Sequence, residues 1–217
     1  MVKGYKLQII YLDTINSTQK YLKKKILSNE LQAPICISAD LQTDGVGSRN
    51  NEWISQSGNL FVSFAINIDD LPEDLKLESA SIYFSYILKE TLQSFGSKVW
   101  IKWPNDFYID DKKIGGTITT VVETTLICGI GLNLLKSPQN YAQLDINIEK
   151  KKLLENYFAN IEKKVLWKQV FSKYKLEFYR NQNFFTHSNG KSVSLCDAKL
   201  NGDGSLEING ERIYSLR

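Results

Sequence analysis

The stretch Val99–Gly116, with the sequence VWIKWPNDFYIDDKKIGG, predicts a strand followed by a β-hairpin. Its first part, Val99–Trp103, is predicted to be a strand that ends at Pro104, because proline has no N–H to donate to a sheet. Phe107–Ile109 and Lys112–Ile114 then predict the two strands of a hairpin around a pair of aspartates. Strands joined by so short a turn run antiparallel.

Strand-like and helical runs flank this stretch without regular alternation. Apolar patterning predicts strands at Leu7–Leu12, Pro34–Ala39, Asn59–Ile68 and Thr125–Leu135. Helical spacing predicts helices from a Ser17-Thr18 start to about Leu27, at Leu77–Phe95, and from Lys151 to about Tyr179 in two pieces. Because βαβ units do not recur, we predict an α+β domain with a mixed, largely antiparallel sheet flanked by helices.

The last part of the chain has a different pattern. After about Asn183 it contains only short β runs, Ser192–Leu195 and Ser205–Ile208, with turn signals such as Asn209-Gly210 between or after them. We therefore predict a main domain at residues 1–182 and a small C-terminal β-barrel-like domain at residues 183–217.

The composition is that of an ordinary globular protein. Of the 217 residues, 42% are hydrophobic and 24% are charged, which is enough apolar material for a buried core. The net charge of +3 comes from scattered lysines, so we expect no DNA binding. No apolar run approaches the length of a membrane span and no signal peptide is visible, so we expect a cytoplasmic protein without membrane contact.

Three cysteines, Cys36, Cys128 and Cys196, lie far apart in strand-like apolar runs and lack metal-binding spacing. We interpret them as buried free thiols, which favours a reducing compartment. The chain has one histidine, His187. Catalysis by a Ser-His-Asp or Cys-His arrangement is therefore disfavoured.

The loop Gln42–Trp53 is a first candidate binding segment. Gly45 and Gly47 allow the backbone to approach a ligand closely, and free N–H groups in such a loop can hold an anion. Arg49 adds a permanent charge that suits phosphate or carboxylate. Trp53 can stack on a base or serve as a packed anchor. Taken alone, the loop fits a mobile surface turn better than a binding loop.

Lys113 is a second candidate, because Gly115-Gly116 follow it and would let a ligand come close. An ammonium group about 4 Å from a phosphate or carboxylate is worth roughly 4 kcal/mol at an effective dielectric constant near 20. A third segment, Gly129–Asn133, has glycines that indicate close packing and an asparagine that can bind an adenine edge or a ribose hydroxyl. A solvated lysine and tight sheet packing are the alternatives for these two segments.

Together the segments resemble a known family, the biotin–protein ligases (biotin–acetyl-CoA-carboxylase ligases). The similarity lies in the order and spacing of six motifs, and it is strong from about Asp13 to Asn133. They are Ser17-Thr18-Gln19, Gly45–Asn50 with Trp53, Gly58-Asn59-Leu60, Lys102–Asp106, Lys113–Gly116 and Gly129–Asn133.

The resemblance implies a fold like that of the class II aminoacyl-tRNA synthetases and biotin ligases. It also implies an ATP-dependent ligase that converts biotin to biotinyl-5′-AMP, with Mg²⁺ present. The biotinyl group then passes to one lysine of the biotin carboxyl carrier protein of acetyl-CoA carboxylase. The resemblance also implies that residues 1–182 form the catalytic domain.

The resemblance also assigns roles to residues. It implies catalytic roles for Lys113 and Arg49, and a metal contact at Asp106. The residues implied to bind biotin are Ser17, Thr18, Gln19, Gln42, Gly45, Gly47, Lys113 and Gly116. The residues implied to bind ATP and the adenylate are Arg49, Trp53, Asn105, Asp106, Lys113, Gly131 and Asn133.

The chain departs from the family pattern in its loop. Val46, Ser48 and Asn51 stand where the family usually has arginines, and Arg49 alone keeps the charge. Gln19 replaces the usual asparagine after Ser-Thr. The loop is therefore expected either to rely on Arg49 or to hold the intermediate less tightly.

Two other functions remain open from the sequence. A lipoate–protein ligase would have a similar fold, and a non-catalytic ligand sensor would explain the loss of loop arginines. About a dozen residues precede Asp13, so we expect the monofunctional type of ligase without an N-terminal DNA-binding domain. Relatives of this type can form homodimers.

Overall fold

The computed structural model describes residues 7–48, 51–188 and 190–214. The strands that lie before residue 183 in these ranges are β1 (Gln8–Ile15), β2 (Ile35–Gln42), β3 (Gly45–Val46), β4 (Glu52–Trp53), β5 (Leu60–Asn67), β6 (Trp100–Lys102), β7 (Asp106–Ile109), β8 (Lys112–Val122) and β9 (Thr125–Leu132). The helices are α1 (Thr18–Leu27), α2 (Ala80–Ser94), α3 (Lys150–Glu162) and α4 (Trp167–Glu177). Within the described ranges, no helix combines the length and apolar character needed to cross a membrane.

The main sheet has seven strands in the order β1-β2-β5-β9-β8-β7-β6. Only β1 and β2 pair in parallel among its described strands, and the other neighbours are antiparallel. The hairpin predicted around the two aspartates is the β7–β8 pair. The prediction of an α+β fold with a largely antiparallel sheet is therefore confirmed.

The sheet is covered on both faces, and β2 shows how. Ile35 and Ile37 point to one face, where they pack with Leu22 of α1. Cys36 points to the other face and joins the main core with Phe64. Because successive strand residues alternate in direction, a continuous apolar run is explained by cover on both sides.

The main core lies between the sheet and α2, α3 and α4. The ring of Phe64 is its centre, with edge-to-face contacts to Phe84, Tyr157 and Phe158 at centroid distances of 5.2, 5.9 and 5.4 Å. Helix α1 covers a smaller area on the opposite face. The remainder of that face, beyond the N-terminus of α1, is available for a ligand.

The N-terminus of α1 is fixed by its cap. Ser17 has an extended backbone, and its side chain accepts a hydrogen bond from the Lys20 N–H at 3.3 Å. Such a cap satisfies one of the N–H groups that a helix start leaves without a partner. The helix predicted from the Ser17-Thr18 start to Leu27 is confirmed.

The C-terminal region forms two small sheets. Its strands are β10 (Phe185–Ser188), β11 (Lys191–Ser194), β12 (Lys199–Leu200), β13 (Leu206–Ile208) and β14 (Glu211–Ile213). β10 pairs with β11, and β12–β14 form a separate sheet. The predicted β character is confirmed, but these described strands do not close into a barrel, because none of them links the two sheets.

Tryptophan side chains tie this region to the rest of the chain. The indole N–H of Trp103 donates to the Gly204 carbonyl at 2.8 Å, and that of Trp167 donates to the Gly202 carbonyl at 2.8 Å. The C-terminal strands also contribute Leu206 to the main core. The domain boundary between residues 182 and 183 stays a prediction.

The cysteines correct one expectation. Cys36 and Cys128 are buried free thiols, and burial raises the pKa of both. Cys196 is exposed, so its predicted burial was wrong. It follows the end of β11 and lies in a turn, where the apolar run no longer belongs to a strand.

Candidate functional site

A cavity lies on the face of the sheet that carries α1. In β8 and β9, Gly116 pairs with Gly131 and Ile118 pairs with Gly129, so these residues share one face. The glycines leave room above the strands because they have no side chains. The cavity is lined by Ser17, Thr18, Gln19, Gln42, Val46, Gly47, Ser48, Asn51, Glu52, Trp53, Ser63, Asp106, Lys113, Gly116, Thr117, Ile118, Gly129, Ile130, Gly131 and Tyr141.

One end of the cavity is built from uncharged polar groups. The Gln42 Oε1 accepts from the backbone N–H of Thr18 at 2.8 Å and from its hydroxyl at 3.1 Å. The Thr18 hydroxyl also lies 2.9 Å from the Ser63 hydroxyl. Ser17 and Thr18 are 1% and 3% exposed. This polar end suits an uncharged ligand group that both donates and accepts hydrogen bonds.

Gln19 extends the polar end over the sheet. A Cβ at Gly129 would lie 2.6 Å from the Gln19 Oε1, so the amide rests directly on that glycine. The Gln19 Nε2 donates weakly to the Ile127 carbonyl at 3.5 Å. Its Oε1 is buried and has no hydrogen-bond partner within the described ranges. It is therefore an acceptor available to a ligand N–H.

The other end carries a lysine and a carboxylate. Lys113 Nζ lies 2.7 Å from Asp106 Oδ1, and the two side chains are 27% and 16% exposed. Asp106 stands opposite Gly116 in the β7–β8 pair, so the ion pair lies beside the glycine floor. A Cβ at Gly116 would lie 3.7 Å from Lys113 Nζ. This cation can therefore reach an anionic group bound above Gly116.

A bulge in β8 explains why Lys113 faces the cavity. The pairing moves from Phe107–Gly115 to Tyr108–Lys113, which leaves Ile114 without a residue opposite it. In a regular strand Lys113 and Gly116 would point to opposite faces, and the extra residue brings them to the same face. Ile114 is fully buried in the main core.

Backbone hydrogen bonds hold the bulge. The Lys113 carbonyl accepts from the Ala142 N–H at 3.0 Å, and the Ile114 carbonyl accepts from the Asn133 N–H at 2.7 Å. Sequence reasoning missed the bulge. Its available signal was the succession Lys113-Ile114-Gly115-Gly116, in which regular alternation would put Ile114 on the glycine floor.

Some residues of the Lys102–Asp106 motif have structural roles, and one lines the cavity. Trp103 is buried and anchors the C-terminal region, as described above. The Asn105 side chain donates to the Thr117 carbonyl at 2.6 Å, and the Thr117 N–H donates to the Asn105 carbonyl at 3.0 Å. Asn105 thus fixes β8 at Thr117, and Asp106 is the motif residue that lines the cavity.

Tyr108 continues the same face beyond the ion pair. Burial, with a smaller contribution from the charge of Asp106, raises the pKa of Tyr108. The Lys102 ammonium lies 5.8 Å from the centroid of its ring.

A small hairpin covers the cavity. In β3 and β4, Gly45 pairs with Trp53, and the Gly47 N–H donates to the Asn51 carbonyl at 2.8 Å. A Cβ at Gly131 would lie 2.6 Å from the Trp53 ring, so the indole packs on the glycine floor. A smaller cavity beside Trp53 is lined by Glu52, Trp53, Ile54, Asn133, Pro138 and Tyr141.

Arg49 and Asn50 lie outside the described residues. The catalytic and adenylate-binding roles of Arg49 therefore stay predictions from the sequence. The three departures from the arginine pattern, Val46, Ser48 and Asn51, all line the main cavity.

The structure brings most of the sequence-predicted site residues together. Those that line the main cavity are Ser17, Thr18, Gln19, Gln42, Gly47, Trp53, Asp106, Lys113, Gly116 and Gly131. Gly45 and Asn105 do not line it, but each contacts a lining residue: Gly45 pairs with Trp53, and Asn105 bonds to Thr117. Asn133 lines the smaller cavity, and its amide is bonded to protein groups at both ends.

Sequence reasoning missed other lining residues. Ser63 lies in the middle of β5 and gave no local signal, because its contact with Thr18 joins residues far apart in sequence. Tyr141 lies in the segment after Asn133 and contributes to both cavities. Tyr141 is 41% exposed, and the sequence alone did not distinguish it from a buried core residue.

The site offers little for a metal ion. Within the described ranges no cluster of three or more His, Cys, Asp or Glu side chains could hold one. The carboxylates that line the main cavity are Asp106 and Glu52, and Asp106 is already paired with Lys113. A magnesium ion would fit here only if most of its oxygen ligands came from a bound phosphate and water.

Comparison with known proteins gives one family. Residues 11–134 match the model of the biotin/lipoate A/B protein ligase family. The chain superposes with a TM-score of 0.93 on biotin acetyl coenzyme A carboxylase synthetase from Helicobacter pylori, solved with bound biotinylated ATP, at 40% identity over 96% of this chain and 100% of that one. Biotin protein ligase from Aquifex aeolicus, solved with biotin and ATP, has the same fold at a TM-score of 0.76 and 21% identity, covering 95% of this chain and 94% of that one.

Curated relatives agree over part of their length. The bifunctional ligase/repressor BirA of Escherichia coli (strain K12) is 30% identical over 133 residues, which are 58% of this chain and 40% of the relative. The chain thus matches less than half the length of that protein. The family match covers more than half of this chain and contains the strands and loop that build the cavity, so the protein belongs to the biotin/lipoate A/B protein ligase family.

Proposed function

We propose that this protein is a biotin–protein ligase. It activates biotin with ATP to biotinyl-5′-AMP and transfers the biotinyl group to a lysine of a biotin carboxyl carrier protein. The carrier of acetyl-CoA carboxylase is the proposed acceptor. The family match and the likeness to the Helicobacter pylori protein support this proposal.

The observation that carries the proposal is the polarity of the cavity. One end has the uncharged network of Thr18, Gln42 and Ser63, and the other has the Lys113–Asp106 ion pair. Biotin has the matching ends, an uncharged ureido ring that donates and accepts hydrogen bonds and a carboxylate. An acid with an apolar head would leave the buried Gln19 Oε1 without a partner, which is costly.

Lys113 supplies the charge that the first step needs. A carboxylate oxygen of biotin attacks the α-phosphorus, a new P–O bond forms, and the bond to pyrophosphate breaks. Both reactants are anionic, so a cation already in place lowers the barrier. Asp106 holds Lys113 Nζ near Gly116 before the substrates bind. Preorganisation of this kind avoids reorganisation during the reaction.

The second step transfers the biotinyl group. The uncharged amine of the carrier lysine attacks the carbonyl carbon of the mixed anhydride, an amide bond forms, the nitrogen gives up one proton to water, and AMP leaves with the electrons of the C–O bond. Water would destroy the same anhydride. The β3–β4 hairpin, with Trp53 on the glycine floor, is the proposed shield against water.

Mg²⁺ is proposed to accompany ATP. When bound it would neutralise phosphate charge, and Asp106 is the protein carboxylate that could contact it. The ion pair with Lys113 leaves Asp106 with one oxygen for such a contact. Most ligands of the ion are therefore expected to be phosphate and water oxygens.

Assembly and location are proposed on separate grounds. Two copies are proposed to form a homodimer through β1, which is an edge strand of the main sheet, because edge strands carry unpaired backbone groups. Sedimentation or light scattering of the purified protein tests this. A cytoplasmic location is proposed from the free thiols of Cys36 and Cys128. Cell fractionation tests that.

The test of the activity is ATP–pyrophosphate exchange with different acids. Exchange should depend on biotin and should be far weaker with lipoate or octanoate. Subsequent addition of a purified carrier domain should give a biotinylated lysine that mass spectrometry detects. Exchange with lipoate or octanoate in place of biotin would refute the proposal in favour of a lipoate–protein ligase.

A further inference from the structure

Asn59 makes an unusual set of contacts for a residue outside the cavity. Its Oδ1 accepts from three successive backbone N–H groups, those of Leu134, Leu135 and Lys136, at 3.0, 3.1 and 3.2 Å. Its Nδ2 donates to the Lys136 carbonyl at 2.8 Å. The residue is fully buried. One side chain therefore fixes the start of the segment that follows β9.

Asn133 continues the network to the far end of the same segment. The Asn59 Nδ2 lies 3.4 Å from the Asn133 Oδ1, and the Asn133 Nδ2 donates to the Ala142 carbonyl at 3.1 Å. The Asn133 carbonyl accepts from the Leu144 N–H at 2.8 Å. Two buried asparagines thus hold both ends of the segment 134–144.

This segment connects two functional features. Its Pro138 and Tyr141 form the wall of the smaller cavity beside Trp53. Its Ala142 N–H donates to the carbonyl of Lys113, which belongs to the β8 bulge. The polar end of the main cavity, around Thr18, has no hydrogen bond to the segment among the described contacts.

The chemistry of the contacts calls for an amide at position 59. Three converging N–H groups need a good acceptor, and in other proteins such clusters bind anions. An asparagine satisfies them with Oδ1 and uses Nδ2 to hold Asn133 and Lys136. Aspartate would keep the acceptor but lose both donated bonds. Alanine would lose all of them and leave buried N–H groups without partners, which is costly.

We propose that Asn59 is a positioning residue for the nucleotide: through the segment 134–144 it affects the affinity for ATP far more than the affinity for the acid. The inference rests on the proposed function, in which the cavity beside Trp53 receives the adenosine part. It also gives Asn133 a positioning role, in place of the direct contact with adenosine that the sequence predicts.

The test compares two buried asparagines. Asn181 is also fully buried, and its Oδ1 accepts from the Trp103 N–H at 2.7 Å, outside both cavities. The variants Asn59→Asp and Asn181→Asp are compared by melting temperature, by ATP KM in biotin-dependent exchange, and by calorimetric biotin Kd without ATP. Asn59→Asp should raise the ATP KM about tenfold, equivalent to about 1.4 kcal/mol. Its biotin Kd should stay within about twofold.

The control Asn181→Asp should have a lower melting temperature, but its ATP KM should not rise relative to its biotin Kd. A folded Asn59→Asp protein with unchanged ATP KM, or with equal losses for ATP and biotin, would overturn the inference. If Asn59→Asp does not fold, Asn133→Asp carries the test, because it breaks the same network at the bond to Ala142, and an unchanged ATP KM would then overturn it. Absence of biotin-dependent exchange in the unaltered protein would instead overturn the proposed function.

Discussion

The polar end of the cavity is carried by α1 and the central strands, whereas its cover is a hairpin of two-residue strands. At the polar end, Thr18 and Ser63 are buried and bonded to each other across elements distant in sequence. In the cover, Gly45–Val46 pairs only with Glu52–Trp53 among the described strands, and Asn51 is exposed.

The difference separates two tasks. A polar network inside a continuous sheet is already formed before a ligand binds, so it can select the acid. A short hairpin with few buried contacts belongs to the parts of a protein that open at low cost. It can admit substrates and then retain the adenylate. Lys113 belongs to strand β8 and lines the same cavity as the polar end and the hairpin cover.

Lys113→Ala should have the largest effect. The variant removes the cation beside Gly116 and should slow adenylate formation on the order of 10²–10³-fold, as loss of one preorganised stabilising group does elsewhere. The fold should remain, because the side chain is partly exposed. Rapid-quench measurement of biotinyl-5′-AMP formation checks this.

The neighbouring Lys112→Ala is its control. Lys112 is exposed and its side chain lies outside the cavity. It should leave the rate unchanged. Equal rates for the two variants would remove Lys113 from the mechanism.

Substitutions of the neighbouring Gly115 and Gly116 should have different effects, one on stability and the other on activity. A Cβ at Gly115 would lie 2.5 Å from the Gly131 carbonyl oxygen. Gly115→Ala should therefore reduce the free energy of unfolding by about 1–3 kcal/mol through overpacking, and the melting temperature should fall. A Cβ at Gly116 would lie 3.1 Å from Asp106 Oδ1, inside the cavity. Gly116→Ala should therefore slow exchange by on the order of tenfold or more with a smaller thermal shift.

Calorimetric melting and exchange assays on the two glycine variants separate these outcomes. If Gly116→Ala lost only stability and kept the exchange rate, the floor of the cavity would not be where the acid and phosphate meet.

Much of this arrangement follows from the sequence, and the rest does not for physical reasons. Helix α1 and the β7–β8 hairpin were predictable because caps, turns and periodicity are local signals. The bulge at Ile114 and the contact of Thr18 with Ser63 depend on pairing between distant strands. The exposure of Cys196 was missed because strand and turn cannot be separated in so short an apolar run.

Site residues show the same limit. Lys113 and Asp106 were assigned together from the motif resemblance, and the structure places them in one ion pair. Asn59 belonged to a recognised motif, yet the motif gave no reason for its amide. That reason is a network with Leu134–Lys136, which no local pattern reveals.

Thr18→Val should weaken acid binding selectively. It removes the hydroxyl between Gln42 and Ser63 but keeps the backbone N–H bonded to Gln42. The biotin KM should rise roughly tenfold, as expected for loss of about one buried hydrogen bond, while the ATP KM stays constant. Steady-state exchange with each substrate varied in turn checks this.

Thr119→Val, in β8 and outside the cavity, is the matched control. A rise in ATP KM equal to that in biotin KM would show that the polar end does not select the acid.

Arg49→Ala should have the smallest effect and should act on retention. As the remaining arginine of the loop pattern, it is predicted to hold the anionic adenylate, so its loss should speed release of biotinyl-5′-AMP about a few-fold, the modest effect expected for removal of a single charge. Trapping of released adenylate, timed after a single turnover, measures this. Release equal to that of the unaltered protein would mean that the cover retains the intermediate without this charge.

A crystal structure with biotin and ATP bound would show which end of the acid each part of the cavity holds. We predict the ureido ring within hydrogen-bond distance of Thr18 and Gln42, and the carboxylate within hydrogen-bond distance of Lys113 Nζ. Biotin bound in the reverse direction, or a carboxylate remote from Lys113, would refute the roles assigned to Thr18, Gln42 and Lys113.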